Sequence, residues 1–134
     1  SDLAIDSLPI MLKTLIPTLR TIPKEADPNV PEFIRKTEDY KKGLFDFDDT
    51  SKLVVLAAGY YLGETFVRSF PLLKWTTGNK EYLEGNMPVV APFKNNIEMS
   101  PIMVIENLFA GVVSGIRQIA SVDRAIVMWV NLAP

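Results

Sequence analysis

Apolar residues recur every three or four positions at both ends of this chain, which is the spacing of an amphipathic helix. One series covers residues 8–22 and the other covers residues 121–130. Pro17 lies inside the first series and has no backbone N–H, so we expect a kink there or two short helices. The β-branched residues of the last series leave a strand as the alternative, but the spacing favours a helix.

The middle of the chain, residues 50–70, is apolar on nearly every side of a helix, and Glu64 and Arg68 are its main charges. The polar run at residues 48–51 offers N-cap side chains, and Pro71 follows the segment. Since a helix that is apolar all round is usually enclosed by the fold, we predict a central buried helix over residues 50–70.

After Pro71 the period changes to two, because Leu73, Trp75 and Thr77 alternate with polar residues. A second short apolar run, residues 89–93, follows turn residues Gly85-Asn86. These runs predict a pair of strands. The prolines that bracket the second run favour an edge position for it.

Two further prolines predict helix starts. Pro31 precedes residues 32–42, in which we expect Phe33, Ile34 and Tyr40 to supply a buried side, and Ser100-Pro101 leads into an apolar run. The sequence therefore predicts an α+β, mainly helical fold of about five helices around a small antiparallel sheet of two or three short strands. At 134 residues we expect a single domain, residues 1–134.

The amino-acid composition excludes several kinds of catalytic site, metal site and binding partner. The chain has no His and no Cys, which excludes Ser-His-Asp triads, thiol catalysis, thiolate zinc sites and disulfides. Its 14 basic and 16 acidic residues are spread along the whole chain, so we expect no basic stripe that could bind nucleic acid. The longest apolar stretch is about half of the roughly 20 residues that span a bilayer, so no membrane partner is expected. We expect no cofactor, no bound metal and a cytoplasmic location, although a removed leader stays open.

Glu64 is the first candidate for a functional site, because an unpaired carboxylate is costly to bury in an apolar helix. Arg68 lies four residues further on, which favours a structural ion pair. In the functional alternative, Glu64, Arg68 and Trp75 line a shared groove in which the carboxyl pKa is raised. Gly59 and Gly63 also stand four apart, a spacing that lets a neighbouring backbone approach, here more from within the chain than from a dimer partner.

The segment at residues 44–50 resembles the first motif of the haloacid dehalogenase superfamily, two apolar residues followed by Asp-x-Asp-x-Thr. The resemblance implies Asp46 as nucleophile, Asp48 as acid and base, and magnesium held by both. However, only two apolar residues precede Asp46, whereas the family has a buried parallel strand there. The downstream acidic pair is also missing. The favoured interpretation is that residues 48–51 cap a helix and that Asp46 is solvated.

A broader resemblance rests on the string Gly59-Tyr60-Tyr61-Leu62-Gly63-Glu64, then Arg68, Trp75, Pro88-Val89-Val90 and Ser100-Pro101. In this order the residues are similar to those of a family of small bacterial proteins of unknown function, which share a Tyr-x-Leu-Gly-Glu helix, a Trp strand and a Pro-Val strand. The similarity covers residues 53–115. It implies a compact α+β domain without known enzyme activity and suggests accessory or protein-binding roles, such as that of an immunity protein.

These observations predict a non-enzymatic protein-binding or accessory domain whose partner is another protein, with a homodimer as an alternative assembly. The expected contact surface is the exposed side of the strand pair and the helix that carries Glu64. Two other functions stay open. One is a magnesium-dependent phosphatase that uses Asp46 and Asp48, and the other is a small-ligand carrier with a pocket between the central helix and the sheet.

Overall fold

The computed structural model describes residues 4–78 and 87–134. The α-helices in these ranges are α1 (Leu8–Leu15), α2 (Glu32–Arg35), α3 (Glu38–Lys42), α4 (Asp49–Ser69), α5 (Pro101–Val113) and α6 (Ser121–Leu132). The strands are β1 (Thr21–Pro23), β2 (Phe45–Phe47), β3 (Lys74–Thr77) and β4 (Pro88–Ala91). The strands form two antiparallel pairs, β1 with β2 and β3 with β4. The predicted mainly helical α+β class is confirmed.

Helix α4 lies at the centre of the fold and begins as the sequence predicts. The carboxylate of Asp48 accepts a hydrogen bond from the backbone N–H of Ser51 at 2.8 Å, which caps the first turn. The helix ends at Ser69, and Pro71 follows. None of the helices in the described ranges combines the length and the hydropathy that crossing a membrane requires.

One face of α4 is buried, and another is open. Val55, Ala58, Leu62 and Phe66 belong to the hydrophobic core. Three apolar side chains on a different face stay exposed, namely Leu53, Leu56 and Tyr60, with relative exposures of 66%, 41% and 45%. The prediction of a central helix is confirmed, but the expectation of burial all round is wrong at these three positions. Apolar side chains on every side of a helix favour burial, but each face is buried only if another element packs against it.

The first helix is shorter than its apolar spacing suggests. Helix α1 stops at Leu15, a single 3₁₀ turn (Ile16–Thr18) contains Pro17, and the chain then enters β1. The predicted break at Pro17 is confirmed, and the predicted continuation of the helical pattern to residue 22 is wrong. Strand β1 pairs with β2 so that Ile22 lies opposite Asp46.

Strand pair β1–β2 is fixed to the start of α4 through Arg20 and Ser51. The backbone N–H of Arg20 donates to the buried Ser51 Oγ at 2.7 Å. The carbonyl of Arg20 in turn accepts from the Asp48 N–H at 2.9 Å. These bonds satisfy backbone groups next to the N-terminus of α4.

Residues 32–42 form two short helices, α2 and α3, and not one. Thr37 interrupts them, because its hydroxyl accepts from the Tyr40 N–H at 3.3 Å and caps α3. The predicted burial of this segment is wrong, since Phe33 is 75% exposed and Ile34 is 38% exposed. Tyr40 is only partly buried. Helical spacing shows that residues share a face but not that the face has a neighbour.

The second strand pair follows the prediction closely. Strands β3 and β4 are antiparallel with Trp75 opposite Val90. Val90 also exchanges two backbone hydrogen bonds with Met99, at 2.8 and 2.9 Å, so β4 lies between β3 and this residue. As predicted, β4 is an edge strand of this two-stranded sheet, and its open side is bridged at Val90 alone among the described residues. The predicted turn at Gly85-Asn86 lies outside the described residues.

Helices α5 and α6 complete the core. Helix α5 begins at Pro101, as predicted, and α6 confirms the helical interpretation of the last segment. Helix α5 passes very close to α4, since a Cβ on Gly59 would lie 2.8 Å from the Ile102 Cα. The predicted role of the glycine as a point of close approach within the chain is confirmed. Helix α6 is joined to α1 by an ion pair between Lys13 and Asp123 at 2.9 Å.

Candidate functional site: an aromatic face on α4 and β3

The structure brings Glu64, Arg68 and Trp75 together. Glu64 lies on α4, and Arg68 one turn later donates from Nε to Glu64 Oε2 at 2.9 Å, which confirms the predicted ion pair. Trp75, the second residue of β3, donates from its indole Nε1 to Glu64 Oε1 at 3.0 Å. One carboxylate therefore joins the helix to the strand through both of its oxygens.

Gly63 makes room for this arrangement. A Cβ on Gly63 would collide with the six-membered ring of Trp75 and would lie 2.9 Å from Pro101 Cγ. The indole can therefore lie directly on the helix backbone and bring its N–H to Glu64, the next residue. The ring of Tyr60, one turn before Glu64, contacts the same indole, with 5.7 Å between ring centroids and an interplanar angle of 43°.

The pKa of Glu64 is lowered, whereas the functional alternative considered from the sequence requires a raised one. The hydrogen bond from Trp75 lowers the pKa of Glu64, and the hydrogen bond from Arg68 lowers it further. Both donors favour the charged carboxylate. The raised pKa that the functional alternative requires is therefore not found, because the side chain keeps 38% exposure and has two donors.

A shallow apolar depression of about 400 Å³ lies beside these residues and is lined by Tyr60, Glu64, Trp75 and Pro88. We call these four residues and Arg68 the aromatic face. Tyr60 and Pro88 were not part of the predicted site. The helical spacing of Tyr60 and Glu64 could have indicated the first of them. Pro88 lies opposite Thr77, two residues from Trp75, and only the strand register reveals its position.

The aspartates of the dehalogenase-like motif have a different setting. Asp46 lies on a three-residue strand that pairs antiparallel with β1, and its side chain is exposed. Asp48 is engaged as the cap of α4, and its hydrogen bonds from Ser51 lower its pKa. Within residues 4–78 and 87–134, no group of three or more His, Cys, Asp or Glu residues is placed to hold a metal ion.

A second concave feature, which we call the apolar groove, lies between β2, α4 and α5. It has a volume of about 510 Å³, and its apolar walls include Phe45, Phe47, Leu53, Leu56, Ile102 and Ile116. Asp46, Lys52 and Glu106 also line it. It shares no lining residue with the depression on the aromatic face.

Comparison of this chain with protein-family models, curated proteins and solved structures yields no match. The resemblance to small bacterial proteins of unknown function therefore stays a prediction.

Proposed function

We propose that this chain is a non-enzymatic protein-binding domain that acts through its aromatic face. The observation that carries the proposal is a shallow apolar depression walled by Tyr60 and Trp75, with Arg68 bonded to Glu64, which also lines it. Tyr, Trp and Arg are the residue types most enriched at the energetic centres of protein interfaces. A toxin-neutralising accessory protein would be one example of such a domain.

The depression has fixed walls, which supports a binding role. The indole of Trp75 is held by its hydrogen bond to Glu64 and by contact with Tyr60. Side chains that are ordered before binding lose little conformational entropy when a partner arrives. The aromatic face therefore offers apolar contact area at a low ordering cost.

The charges around the depression indicate what a partner would present. Both oxygens of Glu64 already accept hydrogen bonds, whereas Arg68 keeps 62% of its side chain exposed. A guanidinium has five N–H donors, and only Nε is used by Glu64. We expect the partner to insert an apolar side chain next to Pro88 and Trp75, and to place a carboxylate near Arg68.

Two features favour binding over the phosphatase alternative. The strand that carries Asp46 belongs to an antiparallel pair, whereas the family motif follows a parallel strand. Asp48 is occupied by the Ser51 N–H. Hydrolysis of an aryl phosphate by the wild-type chain that disappears in Asp46→Asn would nonetheless overturn the binding proposal.

The test is capture of a partner from extracts of the source organism, followed by measurement of its affinity with purified proteins. The variants are Tyr60→Ala, on the aromatic face, and Phe33→Ala, a matched control because Phe33 is also exposed but lies on α2. We expect Phe33→Ala to keep wild-type affinity and Tyr60→Ala to lose roughly tenfold, as for a side chain at an interface centre.

Two results would contradict this proposal. A partner that binds Tyr60→Ala as tightly as wild type would place its contact surface elsewhere. Sedimentation that shows a concentration-dependent dimer, abolished by Tyr60→Ala, would assign the aromatic face to a second copy of the chain and not to a different protein. Circular dichroism of each variant establishes that its fold is unchanged.

A further inference from the structure

The apolar groove exists because α4 and α5 are very close at one point and leave space beside it. At Gly59 the backbone of α4 touches α5 at Ile102. Nearer the start of α4, the larger side chains of Leu53 and Leu56 line the groove, together with Ala110 of α5. Strand β2 closes this space with Phe45 and supplies an aromatic wall.

The volume and the walls of the groove fit a small molecule. A volume of about 510 Å³ lies within the range of roughly 300–1,000 Å³ that is typical of ligand pockets. Leu53 and Leu56 at its walls are exposed by 66% and 41%, so apolar surface is available for a ligand to cover. Burial of such surface is the main favourable contribution to the binding of an apolar molecule.

The charges in the groove select among apolar ligands. Asp46 comes from β2, Lys52 from α4 and Glu106 from α5, so three elements each contribute one charged side chain to the lining. Within the part of the chain that is described, none of the three forms a salt bridge. Among these lining side chains, two carboxylates stand against one ammonium group, which favours a cation beside Asp46 and Glu106. The side chain of Arg117 packs against Gly111, at another part of the lining, and adds a positive charge there.

We infer that the apolar groove binds a small amphiphile with an apolar body and a cationic end. The apolar body lies against Leu53, Leu56 and Ile116, and the cationic end lies among Asp46 and Glu106. The pairing of an apolar wall with a few placed charges is the usual composition of a small-molecule site. This binding is separate from the aromatic face, and it does not depend on the protein-binding proposal.

The test uses three probes with the same eight-carbon chain and different ends: octyltrimethylammonium, octanol and octanoate. Binding is followed by methyl NMR of Leu53, Leu56 and Ile116, below the concentration at which the probes form micelles. We expect octyltrimethylammonium to bind roughly tenfold more tightly than octanoate, with octanol between them. The difference should shrink as salt is added, because ions screen exposed charges.

Variants separate charge from apolar contact. The double variant Asp46→Asn with Glu106→Gln should reduce the preference for the cation to less than about threefold while octanol binding stays unchanged. Asp6→Asn is the matched control, since Asp6 is an exposed carboxylate outside the groove lining. Leu56→Gln should weaken the binding of all three probes because it removes apolar wall.

Three results would overturn the inference. Octanoate could bind most tightly, which would make Lys52 or Arg117 the dominant charge. The three probes could shift methyl signals outside the groove and leave Leu53, Leu56 and Ile116 unchanged. Finally, the double variant could keep the full preference for the cation, which would show that Asp46 and Glu106 do not select the ligand.

Discussion

At Glu64, donors from two separate elements meet at one carboxylate. Arg68 reaches it along the helix, and Trp75 reaches it from the strand. The Trp75 bond contributes most to the lowered pKa of Glu64, although the tryptophan is neutral. Arg68 lowers the same pKa in two ways, through its own hydrogen bond and, more weakly, through its positive charge.

Replacement of Trp75 by Phe should raise the pKa of Glu64 toward its ordinary value, because the ring stays while the N–H donor is lost. Carbon-13 NMR titration of the Glu64 carboxyl measures this directly. Arg68→Met should raise the pKa as well, because it removes both a hydrogen bond and a positive charge. Trp129→Phe is the control, because Trp129 contacts Phe93 and not Glu64. A pKa of Glu64 that stays unchanged in Trp75→Phe would contradict this assignment.

At this scale the sequence predicts local partners better than distant ones. The pair of Glu64 and Arg68 follows from helical spacing alone. The grouping of Trp75 with them could be proposed, but its hydrogen bond could not, because it depends on how β3 packs against α4. Pro88 was missed for the same reason, since its position comes from the register with β3.

Between elements, the close approach of α4 and α5 is the contact that places the groove and the aromatic face. Gly59 lies against the backbone of Ile102, and Gly63 lies under Trp75 and Pro101. A backbone neighbour cannot move aside as the end of a flexible side chain can. Gly59 is therefore required by the backbone of α5, and Gly63 by the rigid rings of Trp75 and Pro101.

Gly59→Ala should lower the free energy of unfolding by about 1–2 kcal/mol, since the new Cβ would overlap the Ile102 backbone. The overlap outweighs the gain of up to about 1 kcal/mol from the higher helix propensity of alanine. Urea unfolding measures the change. Gly43→Ala is the matched control, because its Cβ would lie 3.6 Å from the nearest atom, and its effect should stay within about 0.5 kcal/mol. Equal stability of Gly59→Ala and wild type would refute the contact.

The elements that the sequence predicted correctly are those with long periodic patterns or clear end signals. Helices α4, α5 and α6 have both, and β3 shows alternation. Strands β1 and β2 were missed because each has only three residues, too few for a period to appear. Their pairing also joins parts of the chain far apart in sequence, which no local pattern records.

For the molecule as a whole, two carboxyls link stability to pH. The pKa of Asp48 is lowered mainly by the hydrogen bond from the Ser51 backbone, and the pKa of Glu64 mainly by Trp75. A carboxyl with a lower pKa in the folded chain binds fewer protons there than in the unfolded chain. The stabilisation is therefore complete at a pH above the ordinary carboxyl pKa of the unfolded chain. It is lost as the pH falls through the lowered pKa of the folded chain.

The melting temperature should accordingly fall as the pH is reduced from about 7 to about 3, the range in which carboxyl groups take up protons. The variant Asp48→Asn with Glu64→Gln should be less stable than wild type at neutral pH, and its melting temperature should change less with pH. Asp39→Asn, at an exposed carboxylate on α3, serves as the control and should follow the wild-type curve. Parallel curves for the double variant and wild type would contradict the assignment.

The clamp of Trp75 onto Glu64 has a consequence for selectivity. The indole of Trp75 is hydrogen-bonded at Nε1 and packed against Gly63, so its ring cannot change rotamer to fit ligands of different shapes. Surfaces that accommodate many targets rely on pliable side chains that repack. The aromatic face is rigid by comparison. We therefore expect it to bind few partners, and to bind them without rearrangement of its own side chains.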